Sequence, residues 1–358
     1  MDSLTPIERF KLTIQGKPVD RVPFTLQGEV VGYTKPFLKL FKEMTGQESP
    51  ADYFGFDVRG IYVNPTKLIP DFSAYPGKVE NIEIDEWGVG FRPGSISHLV
   101  QMIHPLQNSK DSKNIDEYPF PDRDALYRYE GLQEQINNWH KKDLPVACFA
   151  GSIFEQAWYM RGMENLLTDF IVNPSLAHAL LDRITDILIT VSKKVTELGI
   201  DVLILGDDIG SQHGLLMSLE HYRKFLKFRL KKVIEAAKSI NSHIQVFYHS
   251  DGNIEEAIPD LIEIGVDILN PIQPECMDPA HIKLKYGKEL SFWGAISLQK
   301  TLPFGTRDEI FQEVKLRVET IGRGGRYVLA PAHVIGSDVS WQNVVALCEA
   351  VHEVGRYS

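Results

Sequence analysis

The stretch Asp201-Val202-Leu203-Ile204-Leu205-Gly206-Asp207-Asp208 decides the fold. Its aliphatic residues run on without alternating and stop at a glycine and two acids. Such a run suits a strand buried on both faces, as in a parallel sheet. Seven further runs share the pattern: Arg21 to Gln27, Val58 to Asn64, Pro145 to Ala150, His243 to His249, Val266 to Pro271, Leu290 to Gly294 and Arg326 to Pro331. Amphipathic stretches of helical period lie between them. Met163 to Gly199 is long and broken at Asn173-Pro174, Ser218 to Ile240 is lysine-rich, Thr306 to Ile321 opens on a capping-box spacing (Thr306, Glu309), and Trp341 to Val354 closes the chain. Eight strands alternating with helices predict an α/β fold, a (β/α)8 TIM-type barrel, with a doubly wound open sheet as the alternative.

Residues 66–123 break the alternation. Glu80 to Phe91 and His98 to His104 read as antiparallel strands around Arg92-Pro93-Gly94-Ser95. The expectation is an inserted hairpin over the C-terminal face of the barrel, a candidate lid. With no internal repeat, low-complexity tract or Pro/Ser linker, residues 1–358 are expected to form one barrel domain carrying the 66–123 insertion.

The chain has 38 Lys and Arg against 48 Asp and Glu, a formal net charge of −10 over 358 residues, and 43% of it is hydrophobic. That composition suits a large buried core. The acidic balance argues against a protein that coats nucleic acid or an anionic membrane. No run approaches the ~20 apolar residues that span a bilayer. Cys148, Cys276 and Cys348 are odd in number and far apart, which argues against a disulfide framework and for a reducing compartment. Met1-Asp2-Ser3-Leu4-Thr5-Pro6 has no apolar core of a secretory signal, so a cytoplasmic location is expected.

In a barrel of this kind, function belongs at the C-terminal strand ends. Those ends bring Glu29, Glu155, Asp207, Asp208, His249, Asp251 and His333 to one rim, with no Lys or Arg at any tip. Acids without bases disfavour a phosphate or polycarboxylate site and favour a divalent cation or a cationic intermediate. His249 and Asp251, two residues apart, with His333 from the last strand, can bind zinc and leave a position open for substrate. Equally, His249 and Asp251 can cap the following helix and His333 can be a hydrogen-bonded rim residue. Asp207 and Asp208 are candidate general acids, or a cap with a salt bridge. Glu29, Glu155, Trp158, Asn270 and Gln273 are candidate substrate contacts and Tyr159 a candidate catalytic residue. Trp158, Tyr159, Phe247 and Trp293 are candidates for an aromatic pocket or for core. Gly322-Arg323-Gly324-Gly325-Arg326 lacks phosphate-loop spacing and precedes a strand. Neither GxSxG nor HExxH occurs.

The chain resembles the uroporphyrinogen decarboxylase superfamily, which includes cobalamin-dependent methyltransferases. The resemblance rests on Gly16-Lys17-Pro18-Val19-Asp20-Arg21-Val22-Pro23, Phe149-Ala150-Gly151-Ser152 followed by Tyr159-Met160, Gly206-Asp207-Asp208 with Met217-Ser218 and Tyr222, Gly265-Val266-Asp267-Ile268-Leu269-Asn270, and Gly324-Gly325 to His333. It spans nearly the whole chain and implies a (β/α)8 barrel. The arginine-rich segment with which the decarboxylases grip their substrate reads Leu26-Gln27-Gly28-Glu29-Val30-Val31-Gly32-Tyr33 here and holds no arginine. The methyltransferase branch binds zinc through a His-x-Cys motif and a later Cys. Here His249 matches, Asp251 replaces the first Cys, and His333 falls near the second. A harder His/Asp/His set suits activation of an ether or alcohol oxygen rather than a thiol. Asp85-Glu86-Trp87-Gly88 and Tyr118-Pro119-Phe120-Pro121-Asp122 are similar to methyltransferases of aryl-methyl-ether demethylase systems.

The resemblance therefore implies a methyltransferase that takes a methyl group from a small methyl donor and passes it to cobalamin carried by a partner corrinoid protein, with zinc or a general acid activating the leaving oxygen. A homodimer is carried as an open expectation. The runner-up is a decarboxylase of porphyrinogen type, which needs no cofactor. A third reading is a barrel that only binds a ligand or partner.

Overall fold

The structure, a computed structural model, describes residues 4–75, 82–93 and 100–357. Among these residues ten strands run in chain order: β1 (Arg59–Ile61), β2 (Glu83–Ile84), β3 (Gly90–Pro93), β4 (Val100–Ile103), β5 (Val146–Gly151), β6 (Val202–Gly206), β7 (Gln245–His249), β8 (Ile268–Asn270), β9 (Ser291–Ile296) and β10 (Tyr327–Pro331). Seven form one curled parallel sheet in the order β1-β5-β6-β7-β8-β9-β10, each paired to its neighbour in sequence around the barrel.

The eighth stave is the first predicted run, and here the expectation of a regular strand over Arg21 to Gln27 is corrected. Proline at position 23 has no N–H to give to a ladder. What remains is a single parallel bridge, Phe24 to Leu329. The Leu329 amide donates to the Pro23 carbonyl (2.9 Å), and the Thr25 amide donates to the Leu329 carbonyl (3.2 Å). On the other side, the Asp57 amide donates to the Phe24 carbonyl (2.9 Å). The segment thus joins the two edges of the sheet and closes a TIM-type barrel.

Inside, period-two alternation along the strands directs Ala147, Val202, Ile204, Phe247, Ile268, Trp293, Val328 and Ala330 into one buried cluster. Phe10 from the helix Pro6–Ile14 joins that cluster and meets the Trp293 ring edge-on at 6.2 Å. The opposite parity, including Leu203, Leu205, Val246, Leu269 and Leu329, packs under the outer helices. Helix boundaries follow the local chemistry. Asn173 breaks Met163–Val172 from Pro174–Glu197 and caps the second. Thr306 and Glu309 form the expected capping box of Arg307–Arg317, and Trp341–Val354 is helical as predicted. Among the described residues no helix is long and apolar enough to cross a membrane.

The insertion carries a three-stranded antiparallel sheet, β2-β3-β4, rather than a two-stranded hairpin. The predicted strand Glu80 to Phe91 is broken by a tight turn at Asp85-Glu86-Trp87-Gly88. One Asp85 carboxylate oxygen accepts from the amides of Trp87 and Val89 (2.9 Å each), a local bond that competes with the ladder. Gly88 sits at φ +77°, and a Cβ there would lie 2.2 Å from the Tyr118 hydroxyl. The expected turn at Gly94-Ser95 and the ends of the predicted strands at Glu80 and His98 lie outside the described residues.

Candidate active site

Alternation that fills the barrel also builds its mouth. Two residues beyond Phe247 comes His249, and two beyond Ile268 comes Asn270, so both stand on the inner face at the C-terminal end. Gly206 on the neighbouring strand leaves room for them: a Cβ there would lie 3.2 Å from the His249 Cβ. Asn270 is fully buried. Its amide nitrogen donates to the Trp293 carbonyl (2.8 Å) and to Gln27 Oε1 (3.3 Å). Its Oδ1 is therefore the acceptor facing His249 Nδ1, 2.5 Å away. Nδ1 carries the hydrogen, and in the neutral imidazole the Nε2 lone pair is left facing the mouth.

His249 Nε2 lies 3.6 Å from Asp208 and 3.9 Å from Asp251, and His333 Nε2 lies 3.9 Å from the other Asp251 oxygen. One ligand atom each from His249, Asp251 and His333 all fall within 4.8 Å of one another. Two imidazoles and one carboxylate are a donor set for zinc or a similar borderline cation, with room for substrate in the remaining position. Burial opposes charge on His249, but Asp251 and Asp208 outweigh it and raise its pKa. Burial also raises Asp251 and lowers His333.

Asp207 and Asp208 divide. Asp207 has the outward parity of Leu203 and Leu205, and its Oδ1 accepts from the Glu155 amide (2.9 Å) at the start of the helix Phe154–Arg161. Burial pushes its pKa well up, against the amides of residues 153–155, which favour the anion. Of its two expected roles the structure supplies the cap, applied to the preceding rather than the following helix. Asp208 faces the mouth, where Oδ1 accepts from the Asp251 amide (2.9 Å) and holds that ligand's backbone.

Glu155 and Tyr159 lie one turn apart on Phe154–Arg161, with the Tyr159 hydroxyl donating to the Glu155 carboxylate. Burial and the nearby Asp208 raise the Glu155 pKa, and burial raises that of Tyr159. Both line a cavity of about 240 Å³ together with Trp87, Arg123, Phe149 and Gln156. Trp158 packs edge-on against Tyr159 at 4.2 Å and is not part of that lining.

Other expected contacts have different settings. Glu29 is not at a strand tip. It lies on the short helix Gln27–Val31, where it accepts from the Tyr33 hydroxyl (2.9 Å) and the Gly60 amide (3.3 Å). Gln273 accepts from the Gly252 amide (3.1 Å) and so ties the loop after Asp251. Asn270 positions His249 from below. Phe247 and Trp293 are barrel core.

Arg123 and Gln156 were missed by sequence reasoning. Among the described residues no Lys or Arg ends a barrel strand, but the insertion delivers Arg123 from outside the barrel. The one available signal was its place just after the Tyr118 to Asp122 motif.

The model of the Uroporphyrinogen decarboxylase (URO-D) family matches residues 83–354, and the chain belongs to that family. It is 26% identical over 366 residues to a methylcobamide:CoM methyltransferase MtaA of Methanosarcina barkeri, covering 99% of both chains. The corresponding protein of the Fusaro strain is 29% identical over the same length, again with 99% of both covered. A uroporphyrinogen decarboxylase of Actinobacillus pleuropneumoniae is 22% identical over 283 residues, 76% of each. Among solved structures, a methyltransferase from Methanosarcina mazei superposes with a TM-score of 0.69 at 24% identity, over 98% of this chain and 99% of that one. The fold is thus that of the family's barrel, and the chain is an enzyme on its methyltransferase side.

Proposed function

We propose that this enzyme takes a methyl group from a small methylated oxygen compound, an aryl methyl ether being the favoured class, and passes it to the cobalt of a separate corrinoid protein. The observation that carries the reading is the His249–Asp251–His333 set at the barrel mouth. It has the ligand number of a catalytic zinc site with no thiolate. An imidazole and carboxylate set is harder than a cysteine set and suits an oxygen leaving group. A divalent cation held there supplies Lewis acidity toward that oxygen.

The chain's own residues supply the rest. Asn270 fixes the His249 tautomer, and Asp208 fixes the Asp251 backbone. Glu155, whose pKa is raised by burial and by Asp208, is the carboxyl placed to give a proton to the departing alkoxide or phenoxide. Tyr159 orients that carboxyl. Decarboxylation of a porphyrinogen needs several cations to grip the substrate, and Arg123 is the one basic residue lining this cavity among the described residues.

Elemental analysis of protein purified without chelator tests the centre. The expected result is about one zinc per chain, lost in His249→Ala and Asp251→Ala. Protein that stays metal-free after incubation with zinc would remove the Lewis acid from this account and favour the decarboxylase.

A further inference from the structure

Gln27 opens the short helix Gln27–Val31 at the end of the closing stave, and it is buried. Its side chain reaches Asn270 on β8, although β9 and β10 stand between the two staves around the ring. The two side-chain amides pair reciprocally across the barrel. Gln27 Nε2 donates to Asn270 Oδ1 (3.2 Å), and Asn270 Nδ2 donates to Gln27 Oε1 (3.3 Å). Toward the N-terminal end the interior is apolar, filled by Phe247, Ile268, Trp293 and Ala330. A buried amide left unpaired costs about 1–3 kcal/mol, so Asn270 needs a partner for every polar atom it brings here. With Gln27 present its capacity is full. Nδ2 gives one hydrogen to the Trp293 carbonyl (2.8 Å) and one to Gln27, while Oδ1 takes one from Gln27 and faces His249 Nδ1.

Turning both amides over together would keep both of their mutual bonds. The Trp293 carbonyl forbids it, because a carbonyl only accepts and would then meet Asn270 Oδ1. The turned Asn270 would also offer Nδ2 to His249 Nδ1 and drive the ring hydrogen onto Nε2, the nitrogen that faces the mouth. We infer that Gln27 is a positioning residue: acting through Asn270, it holds the His249 ring in the tautomer and orientation that leave Nε2 free to ligate a divalent cation. The Trp293 carbonyl sets which way Asn270 faces, and Gln27 stops the amide from rotating out of that setting. The inference rests on the reading of His249, Asp251 and His333 as a metal centre. It depends on neither the methyl donor nor the corrinoid partner.

The test titrates the metal-free full chain with cobalt(II), whose visible bands report the geometry of its ligands. Gln27→Met is close to glutamine in length, fills irregular space and cannot pair with Asn270. It is expected to bind cobalt about tenfold or more weakly, with altered bands. Thermal unfolding of the same samples separates this from packing: a role confined to the barrel interior would lower Tm and leave the cobalt affinity and bands of the folded protein unchanged. Because Gln27 acts through Asn270, adding Gln27→Met to Asn270→Ala is expected to cost no more than about a further twofold. Gln27→Leu carries the test if Gln27→Met does not fold. Parent-like affinity and bands in a folded Gln27 variant, or a full tenfold further loss on top of Asn270→Ala, would overturn the role of Gln27 and leave the metal centre standing. A parent chain that takes up no cobalt would overturn both.

Discussion

Asp207 and Asp208 stand side by side in sequence, and the pleat sends them to different tasks. Both were legible as site candidates, because acids at a strand end are visible in sequence. Which one faces the mouth depends on strand parity, and a one-residue error in placing a strand end reverses it. Asp207 as a cap predicts a specific pattern. Asp207→Ala leaves the Glu155 amide without its acceptor and is expected to cost about 2 kcal/mol, seen as a lower Tm. Asp207→Asn keeps an acceptor oxygen and is expected to retain turnover. A full Tm with no turnover in the Asn variant would instead make Asp207 an acid catalyst. Arg123 and Gln156 were not legible because lining a cavity is a property of the folded surroundings, not of residue type.

The inserted element turns on its Asp85–Val89 turn. Burial pushes the Asp85 pKa up to about 6. The sign follows from linkage: an acid whose pKa is higher in the fold than in the unfolded chain holds its proton more tightly when folded. Its contribution is therefore most favourable below the unfolded value of about 3.9, and it declines as pH rises through 4 to 6 by on the order of 2 kcal/mol. Asp85→Asn keeps the oxygen that accepts from Trp87 and Val89, so it is expected to raise Tm at pH 8 and flatten that part of the profile. An unchanged Tm profile would show that the Asp85 charge is already well accommodated. One residue on, Glu86 serves both Arg123 and the buried Arg128. Glu86→Gln strands those charges and is expected to destabilise by about 3 kcal/mol in urea unfolding, with a parent-like midpoint contradicting that. Helix ends in this chain were readable from Thr306, Glu309 and Asn173. The extra strand was not, since the Asp-to-Gly turn hides inside a run that alternates polar and apolar residues like a single strand.

At the scale of the molecule, stability and chemistry sit at opposite ends of the barrel. At the N-terminal end Asp57, fully buried, accepts from Arg9 (2.6 Å), Arg21 (2.6 and 3.0 Å) and the Phe24 amide (2.8 Å). It ties the first helix and the closing stave to the approach to β1. Asp57→Ala leaves Arg21 without its carboxylate and Arg9 with Asp20 alone, and is expected to cost about 3 kcal/mol, while the folded fraction is expected to bind zinc as the parent does. The eight-stave pattern was legible because parallel strands are continuous apolar runs. The irregular first stave was foreshadowed only by Pro23.

Methyl transfer is proposed to take place at His249, Asp251 and His333. The most direct test follows methylation of cob(I)alamin optically, with zinc-loaded enzyme and 4-methoxybenzoate as donor, comparing the parent with Asp251→Asn. The parent is expected to turn over, and the variant to do so at a rate at least about a hundredfold lower. Equal rates in the two proteins would contradict it.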